Sequence, residues 1–120
     1  MDMPRILLVE DDPELRLLLE HVLLDAEYEV DGCETFEAGR RLLDRDDYDL
    51  LLADGRLSDG TGMMLADRAR ERGVPAIIMT GYAFVLNERG SDLRRYEVLL
   101  KPISPEELLA VVGARLATPS

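Results

Sequence analysis

The sequence predicts an α/β fold, a doubly wound parallel five-stranded sheet with helices on both faces, and three observations carry that expectation. Four short runs, Ile6–Val9, Leu50–Ala53, Ala76–Met79 and Val98–Leu100, are apolar at every position, which is how a strand buried on both faces reads. Segments with helical periodicity lie between them, and such alternation implies parallel strands joined by right-handed crossovers. Finally, polar residues follow four of the five strands, at the end of the sheet where sites of such folds are found.

Taken in order, the first strand is Ile6–Val9. The helix after it is "DPELRLLLEHVLLDA", with Asp12 as cap and Pro13 as first helical residue. Its Leu15, Leu18, Leu19, Val22 and Leu23 follow the spacing of one apolar face. Glu27–Cys33, "EYEVDGC", is a weaker second strand. "TFEAGRRLLDRD" is a second helix capped by Thr35, with Glu37 in its first turn. Leu50–Ala53 is the third strand, and "GMMLADRARERG" is a helix that stops at Gly73. Ala76–Met79 and Val98–Leu100 are the fourth and fifth strands. "SPEELLAVVGARLA" opens with Ser104, Pro105 and Glu107, the pattern of a capping box. Four helices are clear. Ala83–Arg89 reads only as a short or mobile helix, broken by Gly90-Ser91-Asp92.

Composition narrows the function. The chain has 120 residues, of which 47% are hydrophobic, with no Trp and two Phe. It fits one domain, residues 1–120, around an aliphatic core of about 5–116. A net charge of −11 argues against nucleic acid, because phosphate backbones require clustered Lys and Arg. It suits a protein that handles cations or a basic partner surface, although solubility alone is a sufficient reason for acidity. Cys33 is the only cysteine, so no intrachain disulfide forms. Uninterrupted apolar runs reach five residues (Tyr82–Leu86 and Leu108–Val112), against about 20 for a membrane span. The expectation is a soluble, cytoplasmic protein with no membrane or nucleic-acid partner.

The strand ends carry the chemistry. Glu10 and Asp11 follow the first strand, Asp54 the third, Thr80 the fourth and Lys101 the fifth. Carboxylates, a hydroxyl and an ammonium are complementary groups, and local propensity does not ask for them there. Carboxylates converging on one point cannot all stay charged without help. Mg2+ supplies that help, since it prefers hard oxygens and retained waters. One carboxylate can then act as nucleophile toward a phosphoryl group, with the cation, Lys101 and Thr80 offsetting charge on its oxygens.

The motifs "ILLVEDDPELR", "YDLLLADGRLSDGTGMML", "PAIIMTG" and "LLKPISPEEL", in this order and spacing, resemble the receiver domain of bacterial two-component response regulators over Arg5 to Leu116. The resemblance implies a flavodoxin-like (βα)5 sheet of order 2-1-3-4-5, the order of the chemotaxis regulator within that family. It implies Asp54 as phosphoacceptor, Asp11 and Asp54 as direct Mg2+ ligands, Glu10 as a ligand through water, and the Arg56 backbone carbonyl as the remaining protein ligand. It makes Thr80 the switch hydroxyl, Lys101 the family's lysine, Gly81 the small residue that keeps the phosphoryl pocket open, and Lys101–Pro102 a cis bond. The implied partners are a sensor histidine kinase or histidine phosphotransfer protein, and a downstream protein. The latter would dock on the face around the weak fourth helix, the fifth strand and the last helix. With no output segment after Ser120, the chain is expected to act as a stand-alone receiver, phosphate shuttle or sink, a monomer or weak dimer and not an enzyme beyond its own phosphorylation and dephosphorylation. The rival readings are a pseudo-receiver that binds partners without phosphorylation and a Mg2+-dependent phosphatase-type hydrolase. The hydrolase usually needs an acid two residues after its nucleophile, where this chain has Arg56.

Other polar residues have plainer readings. Asp12 is assigned to the helix cap, Asp49 to the start of the third strand, and Asp59, Gly60 and Gly62 to a turn. His21 reads as a helix surface residue, Met63 and Met64 as core fillers, and Cys33 as a small packed hydrophobe. Three features depart from the family pattern. Val98 stands where an aromatic is usual, with Tyr96 two residues earlier on the same strand face. The segment from Thr80 to Lys101 lacks a clean helix. Gly55 and Ser58 replace an apolar residue and a Pro, which predicts a more flexible loop. Arg56 and Tyr82 are bulky at the positions flanking the pocket, so slow autodephosphorylation is expected.

Overall fold

In a computed structural model of the chain, residues 3–81 and 96–117 are described. The five sheet strands are β1 (Arg5–Val9), β2 (Glu29–Cys33), β3 (Leu50–Asp54), β6 (Ala76–Thr80) and β7 (Glu97–Leu100). A separate antiparallel ribbon, β4 (Arg56–Leu57) with β5 (Gly60–Thr61), lies in the loop after β3. The helices are α1 (Pro13–Asp25), α2 (Phe36–Arg45), α3 (Gly62–Glu71) and α4 (Pro105–Ala117). The sheet is parallel throughout, in the order β2-β1-β3-β6-β7. Counted among the sheet strands alone, that is 2-1-3-4-5. No described helix is long and apolar enough to cross a membrane.

The alternation of side chains along each strand builds two cores. Leu7, Val9, Leu51, Ala53 and Ile78 face one side, where Leu43 of α2 and Leu65, Ala66 and Ala69 of α3 cover them. Ile6, Leu8, Leu50, Leu52, Ile77 and Met79 face the other, against Leu19 and Leu23 of α1 and Leu108 and Val112 of α4. The central strands β3 and β6 are buried at every position, which is why their sequences carry no alternation. β2 is an edge strand and alternates partly exposed polar residues with apolar ones, which explains its weaker signal.

Helix ends follow local chemistry. The Asp12 carboxylate accepts from the Glu14 and Leu15 N–H groups at 3.0 and 3.4 Å. Thr35 accepts from Ala38, and Ser104 from Glu107. Thr61 caps α3 by accepting from Met64. Gly73 takes the left-handed conformation, φ 76°, just past the end of α3, where a Cβ would be strained.

Two core assignments need correction. Leu18 is 49% exposed, beside Leu17 at 68%. At about 100° per residue the stripe facing the sheet is Leu15, Leu19, Val22 and Leu23, and Leu18 falls on its shoulder. Met64 is 52% exposed, while Met63 alone packs against the core. His21 is exposed, as read from the sequence, and Cys33 packs against the α2–α3 core with burial pushing its thiol up to about 11. Ala83–Arg89 and Tyr82 lie outside the described residues.

Candidate functional site

The strand register brings the polar residues together. Val9 pairs with Ala53, Asp54 with Met79 and Thr80 with Leu100. The residues just beyond Val9 and Leu100, namely Glu10 and Lys101, therefore reach the same end of the sheet as Asp54 and Thr80.

Glu10 is held on both sides of its backbone. Its N–H donates to the Cys33 carbonyl at 3.0 Å, and its own carbonyl accepts from Arg16 Nη1 at 2.8 Å. The side chain has no solvent exposure. Oε2 accepts from the Asp12 N–H at 3.1 Å. Oε1 lies 3.0 Å from Lys101 Nζ, an ion pair, and has no other polar partner among the described residues. Asp54 ends β3 with one oxygen 3.3 Å from Lys101 Nζ and the other accepting from the Arg56 N–H at 3.4 Å. Asp11 is exposed at the mouth. Glu10, Asp11 and Asp54 each present a carboxylate oxygen within 4.8 Å of the others.

One ammonium thus pairs with two of the three carboxylates, Glu10 and Asp54. Burial pushes the Glu10 carboxyl up to about 7, against the pull of the Asp12 N–H and Lys101. Burial likewise raises Asp54, opposed chiefly by the charge on Lys101. Burial alone would lower Lys101, but its contacts with Glu10 and Asp54 outweigh that and raise it. A buried carboxylate whose Oε1 meets only one ammonium, set among two more carboxylates within 4.8 Å, is a hard-oxygen donor set short of positive charge, and a Mg2+ ion fits it.

Thr80 is buried at the end of β6, and its carbonyl accepts from the Lys101 N–H at 2.8 Å. The Lys101–Pro102 bond is cis. A Cβ built at Gly81 meets nothing within 4 Å among the described residues. Asp12 caps α1 as read from the sequence. Asp49 stands just before β3, where it accepts from the Arg5 N–H at 2.8 Å.

The loop after Asp54 differs from the expectation of flexibility. Gly55 N–H donates to the Met79 carbonyl at 2.7 Å, Gly62 N–H donates to the Gly55 carbonyl at 3.1 Å, and β4 and β5 pair across it. At Gly62 an added Cβ would collide with the Asp54 carbonyl, so this position is a close backbone approach rather than a simple turn. Asp59 is also more than a turn residue. Its two oxygens accept from the Phe36 and Glu37 N–H groups at 2.7 and 3.0 Å, capping α2 from a distance in sequence.

Tyr96 and Val98 pack against the same core, as their shared strand face predicts. The Tyr96 hydroxyl bonds Asp67 of α3. Tyr96 also lines a cleft with Val74 and Pro75, at the end of the sheet opposite Lys101. It therefore does not occupy the place left by the missing aromatic at Val98.

Sequence reading missed Arg16 and Asp59. Arg16 had one signal, being the only arginine in a helix otherwise charged by acids. Asp59 had none, because its partners lie 22 and 23 residues upstream.

Comparisons with known proteins converge on one family. The family model described as the response regulator receiver domain matches residues 6–113. The response regulator protein PilR of Pseudomonas aeruginosa is 29% identical over 119 residues, covering 97% of this chain and 27% of that protein. The chain spans about a quarter to a half of the length of the curated relatives it matches. The receiver domain of the sensor histidine kinase PA1611 of P. aeruginosa, solved with a magnesium ion coordinated in its active site cleft, has a TM-score of 0.85 at 28% identity, covering 98% of this chain and all of that one. The response regulator TrrA of Thermotoga maritima, solved with Mg2+ and BeF, has a TM-score of 0.83 at 27% identity, covering 94% of this chain and 99% of that one.

Proposed function

This chain belongs to the response regulator receiver domain family, and from that premise we propose that it accepts a phosphoryl group on Asp54 with Mg2+ in the acidic cluster. The donor is a phosphohistidine on a sensor histidine kinase or a histidine phosphotransfer protein. One observation carries the reading: Glu10, Asp11 and Asp54 converge within 4.8 Å while Lys101 Nζ stands beside both Glu10 and Asp54.

In the transfer, a carboxylate oxygen of Asp54 forms the bond to phosphorus as the P–N bond to histidine breaks, and the electron pair goes to the imidazole. Glu10, Asp11, Asp54 and the Arg56 carbonyl are the residues that hold the cation, which when bound neutralises charge on the phosphoryl oxygens. Lys101 offsets charge at the same oxygens, and the Thr80 hydroxyl donates a hydrogen bond to one of them. That new bond biases a two-state equilibrium through Thr80 and Lys101. The downstream partner reads the change on the face around residues 83–89, β7 and α4. The receiver core is residues 5–116, acting in the cytoplasm as a monomer or weak dimer. Bulk at Arg56 and Tyr82 slows attack by water. Faster phosphate loss in the wild type than in an Arg56→Ala, Tyr82→Ala double variant would contradict that.

A phosphatase-type hydrolase is disfavoured because Arg56 stands where it needs an acid. A pseudo-receiver is disfavoured because the polar set is complete. Incubation with acetyl phosphate and Mg2+, followed by intact mass measurement, decides among them. A phosphoryl adduct lost in Asp54→Asn supports the receiver. No adduct supports the pseudo-receiver, and multiple turnover of a phosphoester supports the hydrolase.

A further inference from the structure

We propose that Asp59 is a positioning residue of the phosphoryl site, clamping the loop after Asp54 onto the first turn of α2 and so fixing where the Arg56 carbonyl stands. The proposal rests on the reading that Mg2+ binds at Glu10, Asp11 and Asp54 with the Arg56 carbonyl as a further ligand.

The first N–H groups of a helix have no partner within it. In α2 they are satisfied in two parts. Thr35 Oγ1 takes the Ala38 N–H at 3.0 Å from within the chain segment. The Asp59 carboxylate takes the Phe36 and Glu37 N–H groups, one per oxygen, at 2.7 and 3.0 Å. A negative charge also suits the positive end of the helix dipole. The Glu37 side chain does not compete, because it pairs with Arg40 and Arg41.

A second contact reinforces the first. Gly60 lies directly against Phe36, and a Cβ added there would stand 2.7 to 2.9 Å from three Phe36 side-chain atoms. The loop tip is therefore seated on the first residue of α2 by a double hydrogen bond and a backbone-to-ring contact. Its base is fixed by Gly55 to Met79 and Gly62 to Gly55. Arg56 lies between these anchors, in a ribbon of two residues per strand. So short a ribbon has little stability of its own. Its geometry is set by what holds its base and its tip together.

The clamp differs from an ordinary cap in what its loss does. Both N–H groups it satisfies are near the surface, so water replaces the carboxylate there at modest cost to folding. Water cannot tie the loop to α2 as the carboxylate does, so the loop tip is left with the Gly60–Phe36 contact alone. Loss of Asp59 should thus act on the cation site more than on the fold, as supporting residues of metal sites do.

The test measures Mg2+ dissociation constants by NMR titration of the 120-residue chain, with melting and amide exchange alongside. Asp59→Ala is expected to weaken Mg2+ roughly tenfold while melting within a few degrees of wild type. Asp59→Asn, which keeps an acceptor oxygen, is expected to recover most of the affinity. Mg2+ should slow exchange of the Phe36 and Glu37 amides in the wild type and not in Asp59→Ala. Wild-type affinity in Asp59→Ala overturns the clamp alone. An Asp59→Asn variant as weak as Asp59→Ala also overturns it, by assigning the effect to charge. A wild type that binds no Mg2+ sinks the site reading and the clamp with it.

Discussion

Lys101 Nζ stands 3.0 Å from Glu10 Oε1, a buried oxygen with no other polar partner among the described residues. The same ammonium lies 3.3 Å from Asp54. One cation shared between two carboxylates, with Asp11 beside them, leaves the site short of positive charge. That deficit makes the site sensitive to protons and to Mg2+ together.

The first prediction concerns pH. Burial pushes the Glu10 carboxyl up to about 7 in the folded chain, above the ordinary 4.5, and raises Asp54 in the same direction. The folded state therefore holds these protons more tightly than the unfolded chain. Their stabilising contribution is present below about pH 4.5 and is lost as pH rises to about 7. Glu37 and Asp44 shift the opposite way, and their contribution fades only toward acid. Between pH 5 and 7.5 the metal-free protein should lose melting temperature, and saturating Mg2+ should reduce that loss. Mg2+ affinity should rise about tenfold per pH unit and flatten above about 7, as expected when the cation displaces one proton. A melting temperature flat across this range would contradict the assignment.

Asp54→Asn should separate charge from shape. It removes one of three converging charges with little change in volume, so the metal-free protein should gain about 1 kcal/mol, a few degrees in melting temperature. The same substitution should abolish the phosphoryl adduct. Lys101→Ala should do the reverse. It leaves Glu10 buried without its counter-charge, and the loss should be larger at pH 8 than at pH 5, where Glu10 takes up a proton. Calorimetry of both variants at the two pH values checks this. Equal losses at both would show that Lys101 matters by packing alone.

What could be read from the sequence was local. Strands β1, β3 and β6 are buried on both faces and so carry uninterrupted apolar runs. The caps at Asp12, Thr35 and Ser104 act on N–H groups two or three residues ahead. Glu10, Asp11, Asp54, Thr80 and Lys101 were legible because each ends or follows a strand, and parallel strands in register deliver their ends to one place. What stayed hidden depends on approach between segments distant in sequence. Asp59 meets α2, and Gly62 meets the Asp54 carbonyl, only once the sheet is assembled. The loop therefore read as flexible when its hydrogen bonds hold it at both ends. Leu18 was misplaced for a simpler reason: apolar spacing alone does not tell the centre of a helix face from its shoulder.

Asp12 tests the division of labour in the run Glu10-Asp11-Asp12. Its carboxylate is spent on the Glu14 and Leu15 N–H groups, whereas its backbone N–H supports Glu10 Oε2. Asp12→Ala should cost about 1 kcal/mol through the lost cap. It should leave Mg2+ affinity within about twofold, because the backbone donor to Glu10 survives. Urea denaturation and Mg2+ titration of the same variant give both numbers. A large fall in Mg2+ affinity would make Asp12 part of the cation site.

The two glycines nearest the site should respond in opposite ways to the same methyl group. At Gly62 the added Cβ collides with the Asp54 carbonyl, and the backbone has little freedom to retreat because the Gly62 N–H is bonded to the Gly55 carbonyl. Gly62→Ala should cost about 2 kcal/mol as overpacking and should weaken Mg2+, since relief of the clash moves Asp54, the proposed phosphoacceptor. At Gly81 the Cβ meets nothing within 4 Å among the described residues. Gly81→Ala should stay within about 0.5 kcal/mol of wild type, with Mg2+ affinity unchanged. Any loss confined to its phosphorylation by acetyl phosphate would then come from crowding of the incoming phosphoryl group, not from the fold. Denaturation, Mg2+ titration and adduct formation measured on both variants distinguish the two cases. Equal sensitivity at the two positions would contradict the close approach at Gly62.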